Sequence, residues 1–379
     1  MQFENKTIYI ISREGWGSML MSKQHYAIEL AKRNNKIYFI NHPDLQRRLK
    51  RGEIVISKTA FKNITSISHR FWHPFFLKFK YTWLYNFFTS IHIKRICRKI
   101  NTAPDIVWQF DIGNSLPLKY FPRCEAKIYM PVDGPDGTRE EQKAAEKANV
   151  IISVTDRILN NFNTTALPKL CVNHGVSAIF INELTEEKND KVLKAGYSGS
   201  LLRSDIDTSF FLTVIRQNPA IQFNFWGEYD SLNSNIHLAA DVSTEVKNFI
   251  QQLQQQPNVI LHGAVQPVQL AEGLKQMDIL LIAYNIKNAQ NSHKLLEYMA
   301  TGKVIVSSYL SSYADRPELV EMVKSPDSNN GLIELFNKVV NNIAAYNFSE
   351  KQQYRIAYAR QFTYKNQLKK IEDFLSANN

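Results

Sequence analysis

The sequence predicts a two-domain α/β protein in which each domain contains a doubly wound parallel sheet. Short runs of β-branched and aromatic residues alternate with amphipathic stretches, and this alternation is typical of parallel sheets covered by helices. The alternation occurs in two series, separated by the polar segment NELTEEKNDK at 182–191. With 379 residues, of which 44% are apolar, the chain is long enough to form two hydrophobic cores.

The first series predicts strands over 6–12, 36–41, 105–109, 127–131, 149–153 and 169–172. Segments with helical period lie between them at 22–33 and 142–148. We assign residues 1–182 to this first domain.

The second series predicts strands over 194–198, 221–226, 258–262, 278–283 and 303–307. Its helical segments are 207–217, 267–276 and 292–301. Residues 190–345 form the second predicted domain, and we expect the helices of 346–379 to pack back on the first.

Charge is distributed unevenly between the two halves. Residues 1–175 carry 27 Lys and Arg against 14 Asp and Glu, a net +13, whereas the remainder carries 19 against 21, a net −2. The basic half is expected to meet an anionic partner.

Three cysteines, Cys97, Cys124 and Cys171, are widely spaced and form no C-x-x-C pair. They predict neither a disulfide framework nor a metal site. The first residues read as a strand rather than a signal peptide, and no apolar run reaches membrane-spanning length, so we expect a cytoplasmic protein.

The motif NSHKLLEYMATGK at 291–303 predicts a capped helix that follows a strand of the second domain. The N-terminus of such a helix lies at the carboxyl edge of a parallel sheet, where its N–H groups attract phosphate. Lys294 in the first turn can add a positive charge to a diphosphate, and Glu297 can accept hydrogen bonds from ribose hydroxyls. The alternative is an ordinary amphipathic helix.

This helix is similar to the donor-binding helix of bacterial GT-B glycosyltransferases of the glycosyltransferase 1/4 type. Further segments resemble the same family in the same order. They are WGSMLMSKQHYAIELAKRNNKIYFIN from Trp16, ANVIISVTDRILNNF from Ala148, GYSGSLLRSDID from Gly196 and NVILHGAVQPVQLAEGLKQMDILLIAY from Asn258.

The resemblance implies the GT-B fold, in which two Rossmann-like domains face a central cleft. It also implies transfer of a sugar from a UDP- or GDP-sugar to a hydroxyl of a glycan or lipid-linked acceptor, in bacterial cell-surface polysaccharide synthesis. The nucleotide-sugar is a co-substrate, and no metal or other cofactor is expected. The alternatives are an epimerase or phosphorylase of the same architecture and a non-catalytic subunit that binds a nucleotide or sugar.

The resemblance also implies site residues. The donor-binding set is Gly199, Ser200, Arg203, His262, Gly263, Ser292, His293, Lys294 and Glu297. The acceptor-side set is Gly15, Trp16, Gly17 and His25, with packing as the alternative role of His25.

One position departs from the family pattern. Retaining members carry two glutamates eight positions apart, and the first would fall at Ala289, so a retaining or an inverting outcome stays open.

An inverting enzyme needs a general base, for which the candidate is Asp133 in KIYMPVDGPDGT, with Asp136 as the second choice. A turn-forming aspartate is the alternative. The DID at 205–207 is interpreted as a helix start rather than a metal motif.

A basic and aromatic region precedes these candidates. Residues 54–104 contain no Asp or Glu but nine Lys and Arg, and RRLKR at 47–51 comes just before them. A predicted apolar ridge at i+4 spacing comprises Phe75, Phe79, Trp83, Phe87 and Ile91. The interpretation is a peripheral contact of residues 47–99 with an anionic membrane, on the inner face of the plasma membrane. A buried core helix is the alternative for 71–91. Nucleic-acid binding is disfavoured because no nucleic-acid motif accompanies the region.

Overall fold

A computed structural model of the chain describes residues 1–17, 20–132, 139–183, 192–230, 242–285 and 293–378. Their contacts divide the chain into two compact units. The first unit comprises Met1–Asn173 together with Tyr364–Asn379, and the second comprises His174–Thr363. The sequence placed the first division at 182–190 and the second before 346. Most of the predicted linker lies outside the described residues.

The first unit contains one sheet of eight strands within the described ranges. In chain order they are β1 Thr7–Ile11, β2 Lys36–Ile40, β3 Ile54–Lys58, β4 Ile64–His69, β5 Ile106–Gln109, β6 Ala126–Tyr129, β7 Val150–Ser153 and β8 Lys169–Cys171. Their order in the sheet is β3-β4-β2-β1-β5-β6-β7-β8. Every neighbouring pair is parallel except β3 and β4, which form an antiparallel hairpin at the edge.

Helices of the first unit cover this sheet. They are α1 Ser22–Ala31, α2 Leu77–Lys80, α3 Thr82–Ile100, α4 Arg139–Ala144, α5 Asp156–Asn160 and α13 Tyr364–Ala377. The central strands β1, β5 and β7 are buried at every position, as expected of parallel strands covered on both faces. The last helix, α13, belongs to the core of this unit through Tyr364, Leu368 and Ile371.

The second unit contains a sheet of six parallel strands within the described ranges. They are β9 Lys194–Ser198, β10 Gln222–Trp226, β11 Val259–Gly263, β12 Ile279–Ile282, β13 Val304–Ser307 and β14 Glu321–Met322. Their spatial order is β11-β10-β9-β12-β13-β14, which is the Rossmann order 3-2-1-4-5-6. In this order the chain reverses direction across the sheet between β9 and β12, and ligands bind outside the carboxyl ends of strands at such a point.

The helices of the second unit are α6 Thr208–Gln217, α7 Thr244–Gln254, α8 Pro267–Lys275, α9 His293–Thr301, α10 Leu332–Asn341, α11 Ile343–Tyr346 and α12 Ser349–Arg360. The side chain of Asp207 caps α6 by accepting the Phe210 N–H at 3.0 Å. This cap agrees with the interpretation of the DID segment as a helix start. The helix α12 lies in this unit, where the buried Arg355 donates to the carbonyl of Gly302 at the end of α9.

All eleven predicted strands have a counterpart, with ends that differ by at most two residues. The doubly wound parallel-sheet prediction is therefore confirmed for both units. The helix predicted at 142–148 instead occupies Arg139–Ala144, and the hairpin β3–β4 was not predicted.

The predicted continuous ridge is wrong at Tyr81, where the backbone (φ −136°, ψ 66°) separates α2 from α3. Its central members nevertheless face solvent: Phe79 is 75% exposed, Trp83 72% and Phe87 57%. The opposite face of α3 is the buried one, with Tyr85 and Ile93 in the core. A wholly buried core helix is therefore not what the segment forms. Among the described helices, none combines the length and apolar character needed to cross a bilayer.

Among the described residues of the first unit, four histidines are buried, namely His25, His69, His73 and His92, and burial lowers the pKa of each. His92 lies on α3, and its Nε2 is 3.0 Å from Nδ1 of the buried His69 on β4. Burial, with smaller effects of the Arg95 and His73 charges, lowers the pKa of His92 to about 3. Burial also lowers the pKa of His25 to about 4.

We expect His92 to make the stability of the first unit depend on pH. Its folded-state pKa lies below the ordinary 6.5, so its contribution is intact above pH 6.5 and declines as the pH falls toward about 3. At pH 5 the loss from this one side chain is about 2 kcal/mol. Urea unfolding of wild type and His92→Gln at pH 7 and 5 measures it. The stability advantage of wild type should shrink by about that amount at pH 5, and an advantage that does not change with pH would contradict the expectation.

Candidate functional site

The candidate site of the second unit lies at the carboxyl ends of β9 and β12, where the Rossmann order reverses. Gly199 follows β9, Tyr284 follows β12, and Lys294 is in the first turn of α9. The Lys294 ammonium donates a hydrogen bond to the Tyr284 hydroxyl at 2.8 Å. It also lies over the rings of Tyr197 and Tyr284, 5.2 and 5.6 Å from their centroids. The aromatic faces hold a cation at the point where this fold binds ligands.

Because Gly199 has no side chain, the Lys294 side chain can occupy the space beside it. Its φ is +145°, and a Cβ at this position would overlap the Lys294 ammonium. Its N–H donates to the carbonyl of Trp226 at 2.7 Å. A residue with a side chain would therefore displace the cation from the strand end, which explains the need for glycine.

Gly227, after β10, makes a second close approach. Its φ is +140°, and a Cβ there would overlap the carbonyl oxygen of Gly199. Its N–H donates to the carbonyl of Gly263 at 2.8 Å, so the loops after β9, β10 and β11 are linked through main-chain contacts. Gly227 was not among the residues predicted from sequence, although a glycine directly after a strand is the signal that marks it.

Arg203 brings a second cation to the same tyrosine. Its guanidinium lies over the Tyr284 ring, with Cζ 5.2 Å from the centroid, and its Nε donates to the Asp205 carboxylate at 2.7 Å. Lys294 and Arg203 therefore share one ring, with Lys294 against the Gly199 backbone and Arg203 paired with Asp205. Two cationic side chains at this strand end suit a diphosphate. Ser200 is buried next to it, and its hydroxyl accepts the Leu202 N–H at 3.3 Å.

Glu297 lies one turn after Lys294 on α9, as the spacing predicted, and is only 7% exposed. Burial raises the pKa of its carboxyl to about 8, and the charge of Lys294 opposes this rise. The neighbouring Tyr298 fixes the helix against the sheet, because its hydroxyl accepts the Ser198 N–H at 2.7 Å.

Replacing Glu297 with glutamine should stabilise the unliganded second unit while weakening ligand binding. The folded carboxyl holds a proton that the unfolded chain, with an ordinary pKa of 4.5, loses at neutral pH, so stability falls as the pH rises from about 4.5 through about 8. The gain at pH 7 is up to about 3 kcal/mol and disappears near pH 4.5. Thermal unfolding of Glu297→Gln measures it, with Glu334→Gln on the exposed side of α10 as the control. Equal stability of Glu297→Gln and wild type at pH 7 would overturn this assignment.

His262 and Gly263 end β11 at the same edge of the sheet. The imidazole of His262 is stacked on the Trp226 ring, with centroids 4.6 Å apart and planes 5° apart, and its Nε2 is 3.0 Å from Asn224 Oδ1. Gly263 has φ +72°. The stacked rings of His262 and Trp226 provide a flat aromatic surface at the strand end, which suits stacking of a nucleobase.

The acceptor-side residues lie at the corresponding place in the first unit, after β1 and beside the end of β5. The main-chain N–H of Trp16 donates to Asn41 Oδ1 at 2.9 Å, and the Trp16 ring packs edge-on against the Phe39 ring. Gly15 and Gly17 are partly exposed. A Cβ at Gly15 would make only ordinary contact with Asn41, so space alone does not require glycine there.

His25 is buried on α1 and stacks on Tyr364 of α13, with ring centroids 5.1 Å apart. This contact gives His25 a packing role, which was the alternative from sequence.

An acidic residue of the first unit, Asp111, follows β5, and its carboxylate accepts the main-chain N–H groups of Gly113 and Ser115 at 2.9 and 2.7 Å. Its carboxylate shapes its own loop.

Several predicted residues lie outside the described part of the chain. They are Asp133, Asp136, Ala289 and Ser292, together with the side chain of His293. In the parts of the chain that the structure describes, no group of three His, Cys, Asp or Glu side chains could hold a metal ion.

The tyrosines of this site were missed from the sequence. Tyr197, Tyr284 and Tyr298 are buried and converge near Lys294 and the end of β9. Burial raises the pKa of Tyr197 well above its ordinary value. For Tyr284 burial opposes ionisation, but the charge and hydrogen bond of Lys294 outweigh it and lower the pKa. The available signal was the position of Tyr197 within β9 and of Tyr284 two residues after the end of β12.

No family model and no curated protein matches the sequence. Solved structures do match along nearly the whole chain. Sucrose-phosphate synthase from Thermosynechococcus elongatus has 12% identity and a TM-score of 0.67, with 98% of each chain covered. Anabaena HepE in complex with UDP-glucose has 11% identity and a TM-score of 0.67, with 98% of this chain and 100% of that one covered.

A third match is the lipopolysaccharide outer core galactosyltransferase WaaB in its apo form. It has 16% identity and a TM-score of 0.59, with 99% of this chain and 100% of that one covered. At such identities the likeness concerns the fold, and it agrees with the two parallel sheets described above. The chain has the GT-B fold of these glycosyltransferases.

Proposed function

We propose that this protein is a glycosyltransferase that moves a sugar from a UDP- or GDP-sugar to a hydroxyl of a glycan or lipid-linked acceptor. The observation that carries the proposal is the ammonium of Lys294, which lies against Gly199 and Tyr284 at the switch point of the second sheet. A cation beside a glycine backbone at this point suits the diphosphate of a nucleotide. The GT-B fold and the UDP-glucose bound to Anabaena HepE support the same choice of ligand.

Each donor-site group has a proposed role. Lys294 and Arg203 bind the diphosphate and stabilise the charge that develops on it as the sugar bond breaks. Glu297 accepts hydrogen bonds from the ribose hydroxyls, and the His262–Trp226 stack supports the base. Electrostatic support of the leaving group by side chains removes the need for a metal ion.

The reaction also requires a group that receives the proton of the acceptor hydroxyl if the outcome is inverting. Asp133 stays the candidate for this base. The choice between retaining and inverting chemistry stays open, since Ala289 replaces the first glutamate of the retaining pattern.

Turnover distinguishes the transferase from its two alternatives. With a nucleotide-sugar and an acceptor extract, a transferase releases nucleoside diphosphate only when the acceptor is present. An epimerase alters the sugar nucleotide without an acceptor, and a non-catalytic subunit binds the donor without any turnover. Acceptor-dependent release of nucleotide supports the proposal, and either of the other two results rejects it.

The second part of the proposal is that the first unit contacts an anionic membrane, where polysaccharide is assembled. The aromatic patch, defined as the exposed side chains of α2, α3 and their flanks, comprises Trp72, Phe76, Phe79, Tyr81, Trp83 and Phe87. On the same segment Lys80, Lys94, Arg95, Arg98 and Lys99 are exposed. Rings that partition at the bilayer interface and cations that attract anionic headgroups are the two features such a surface needs.

Removing two rings of the patch should weaken vesicle binding without unfolding the protein. Phe79 and Trp83 are 75% and 72% exposed, so Phe79→Ser with Trp83→Ser removes little packing. Loss of their partition into the interface should lower affinity for vesicles with 30% anionic lipid at least about tenfold. Co-sedimentation measures this, with Phe348→Ser and Tyr354→Ser, both half-exposed in the second unit, as the control. Unchanged binding of the patch variant would reject the membrane contact.

A further inference from the structure

A small cavity lies beside the aromatic patch in the first unit. Its volume is about 70 Å³, and its walls come from α2, α3, α4 and the segment after β5. Its charged lining residues are Lys78, Lys119, Lys143 and Glu146. Three lysines and one glutamate give the lining a net charge of +2, so the cavity attracts anions.

Two of the three lysines, Lys78 and Lys119, are held at the cavity by defined contacts. Lys78 is only 8% exposed, and its ammonium donates to the main-chain carbonyl of Gly113. Lys119 donates to the Glu146 carboxylate at 2.9 Å, a contact that raises the pKa of Lys119 and keeps it cationic. The buried Lys78 cation makes this cavity a built feature rather than a chance meeting of mobile surface lysines.

Neutral hydrogen-bonding groups complete the lining. Thr82 is in the first turn of α3, and Asn86 lies one turn further along the same helix. Asn114 accepts the Gln109 amide through Oδ1 at 3.3 Å, so its own amide nitrogen remains a donor. Ammonium and amide donors together match the oxygens of a phosphate.

The cavity and the aromatic patch share a border. The Lys78 ammonium lies 5.7 Å from the centroid of the exposed Phe79 ring. On α3 the lining residue Thr82 precedes the exposed Trp83. The rings of Phe79 and Trp83 are therefore adjacent to residues that line the cavity, within reach of a chain attached to a phosphate bound there.

We propose that this cavity binds the phosphate of an amphiphilic lipid phosphate, whose hydrocarbon chain lies along Phe79 and Trp83. The proposal rests on the membrane contact proposed above and names the chemical group that is recognised there. A lipid phosphate fits better than a free anion because Lys78, which lines the cationic cavity, lies beside the exposed apolar ring of Phe79. In this proposal, the lysines of the cavity bind a lipid phosphate specifically, in addition to the general attraction of the basic first unit to anionic membranes.

The test uses the full chain and water-soluble probes, namely monomeric dihexanoyl phosphatidic acid, dihexanoyl phosphatidylcholine and inorganic phosphate, with binding measured by calorimetry. Wild type should bind the phosphatidic acid at least tenfold more tightly than either other probe. Lys119→Gln with Lys143→Gln should weaken that binding at least tenfold. Lys58→Gln with Lys62→Gln, the same change of charge at the exposed β3–β4 turn, should change it less than twofold.

A second variant tests the apolar half of the site. Trp83→Ser should weaken binding of phosphatidic acid while leaving inorganic phosphate unaffected. Equal affinity of wild type for inorganic phosphate and phosphatidic acid, or equal losses in the two lysine pairs, would overturn the proposal. Nucleotide binding by the second unit is measured on the same samples. Normal nucleotide binding with no lipid-phosphate binding rejects the cavity alone, and the reverse result rejects the donor site alone.

Discussion

Replacing Lys294 with alanine should lower kcat/KM for the nucleotide-sugar by about 10² to 10³, the loss typical of removing one preorganised donor to a developing negative charge. The ammonium lies over two tyrosine rings, hydrogen-bonds to Tyr284 and lies against the Gly199 backbone. No other cation of the described residues occupies that position, and Arg203 lies on the Tyr284 ring beside it. Steady-state kinetics with the nucleotide-sugar measure the change.

Two further variants separate charge from volume. Lys294→Met keeps the length of the side chain and should be nearly as impaired as Lys294→Ala, because the charge does the binding. Lys338→Ala, on the exposed side of α10, should leave kcat/KM unchanged. Full activity of Lys294→Met would mean that Lys294 fills space rather than binds phosphate.

Replacing Gly227 with alanine should destabilise the second unit by about 3–5 kcal/mol, a cost that combines backbone strain and overpacking. The φ of +140° is one that side chains rarely adopt, and the new Cβ would overlap the Gly199 carbonyl oxygen. Either the loop after β9 moves or the strand ends separate, and both outcomes displace Gly199 from Lys294. We expect a fall of roughly 10 °C in the unfolding midpoint together with loss of nucleotide binding.

Gly331→Ala is the matched control for this change. Gly331 also has a positive φ, +85°, but a Cβ there would meet nothing within 4 Å. It should therefore cost only the strain of about 1–2 kcal/mol and leave nucleotide binding intact. Equal unfolding midpoints for Gly227→Ala and Gly331→Ala would show that the close approach of the two loops is unimportant.

The parallel strands were predictable because the central ones are buried on both faces and so consist of short β-branched and aromatic runs. β12, with the sequence ILLI, and β13, with VIVS, are examples. The Rossmann order was not predictable from periodicity, because pairing between β9 and β12 depends on contacts distant in sequence. The hairpin β3–β4 was missed although IVISK and ITSISH have strand composition.

The site was partly predictable for a local reason. Lys294 and Glu297 are three residues apart on one helix, so their placement follows from helical geometry and a strand before it. Tyr284 and Gly227 follow different strands. The contacts of Gly227 with Gly199 and of Tyr284 with Lys294 depend on how those strands neighbour one another in the sheet. In the aromatic segment, by contrast, local spacing led to a wrong prediction. Its i+4 spacing suggested one helix, but the Tyr81 backbone divides it in two.

The most direct test of the central claim is nucleotide binding by the wild-type chain. Thermal unfolding is measured with UDP, GDP, CDP and ADP and with their common sugar conjugates. One nucleotide class should stabilise the protein, by about 2.7 kcal/mol at a concentration 100 times its Kd, and Lys294→Ala should remove that shift. If no member of the panel binds wild type, even by calorimetry at millimolar concentration, the donor site proposed at Gly199, Tyr284 and Lys294 is contradicted.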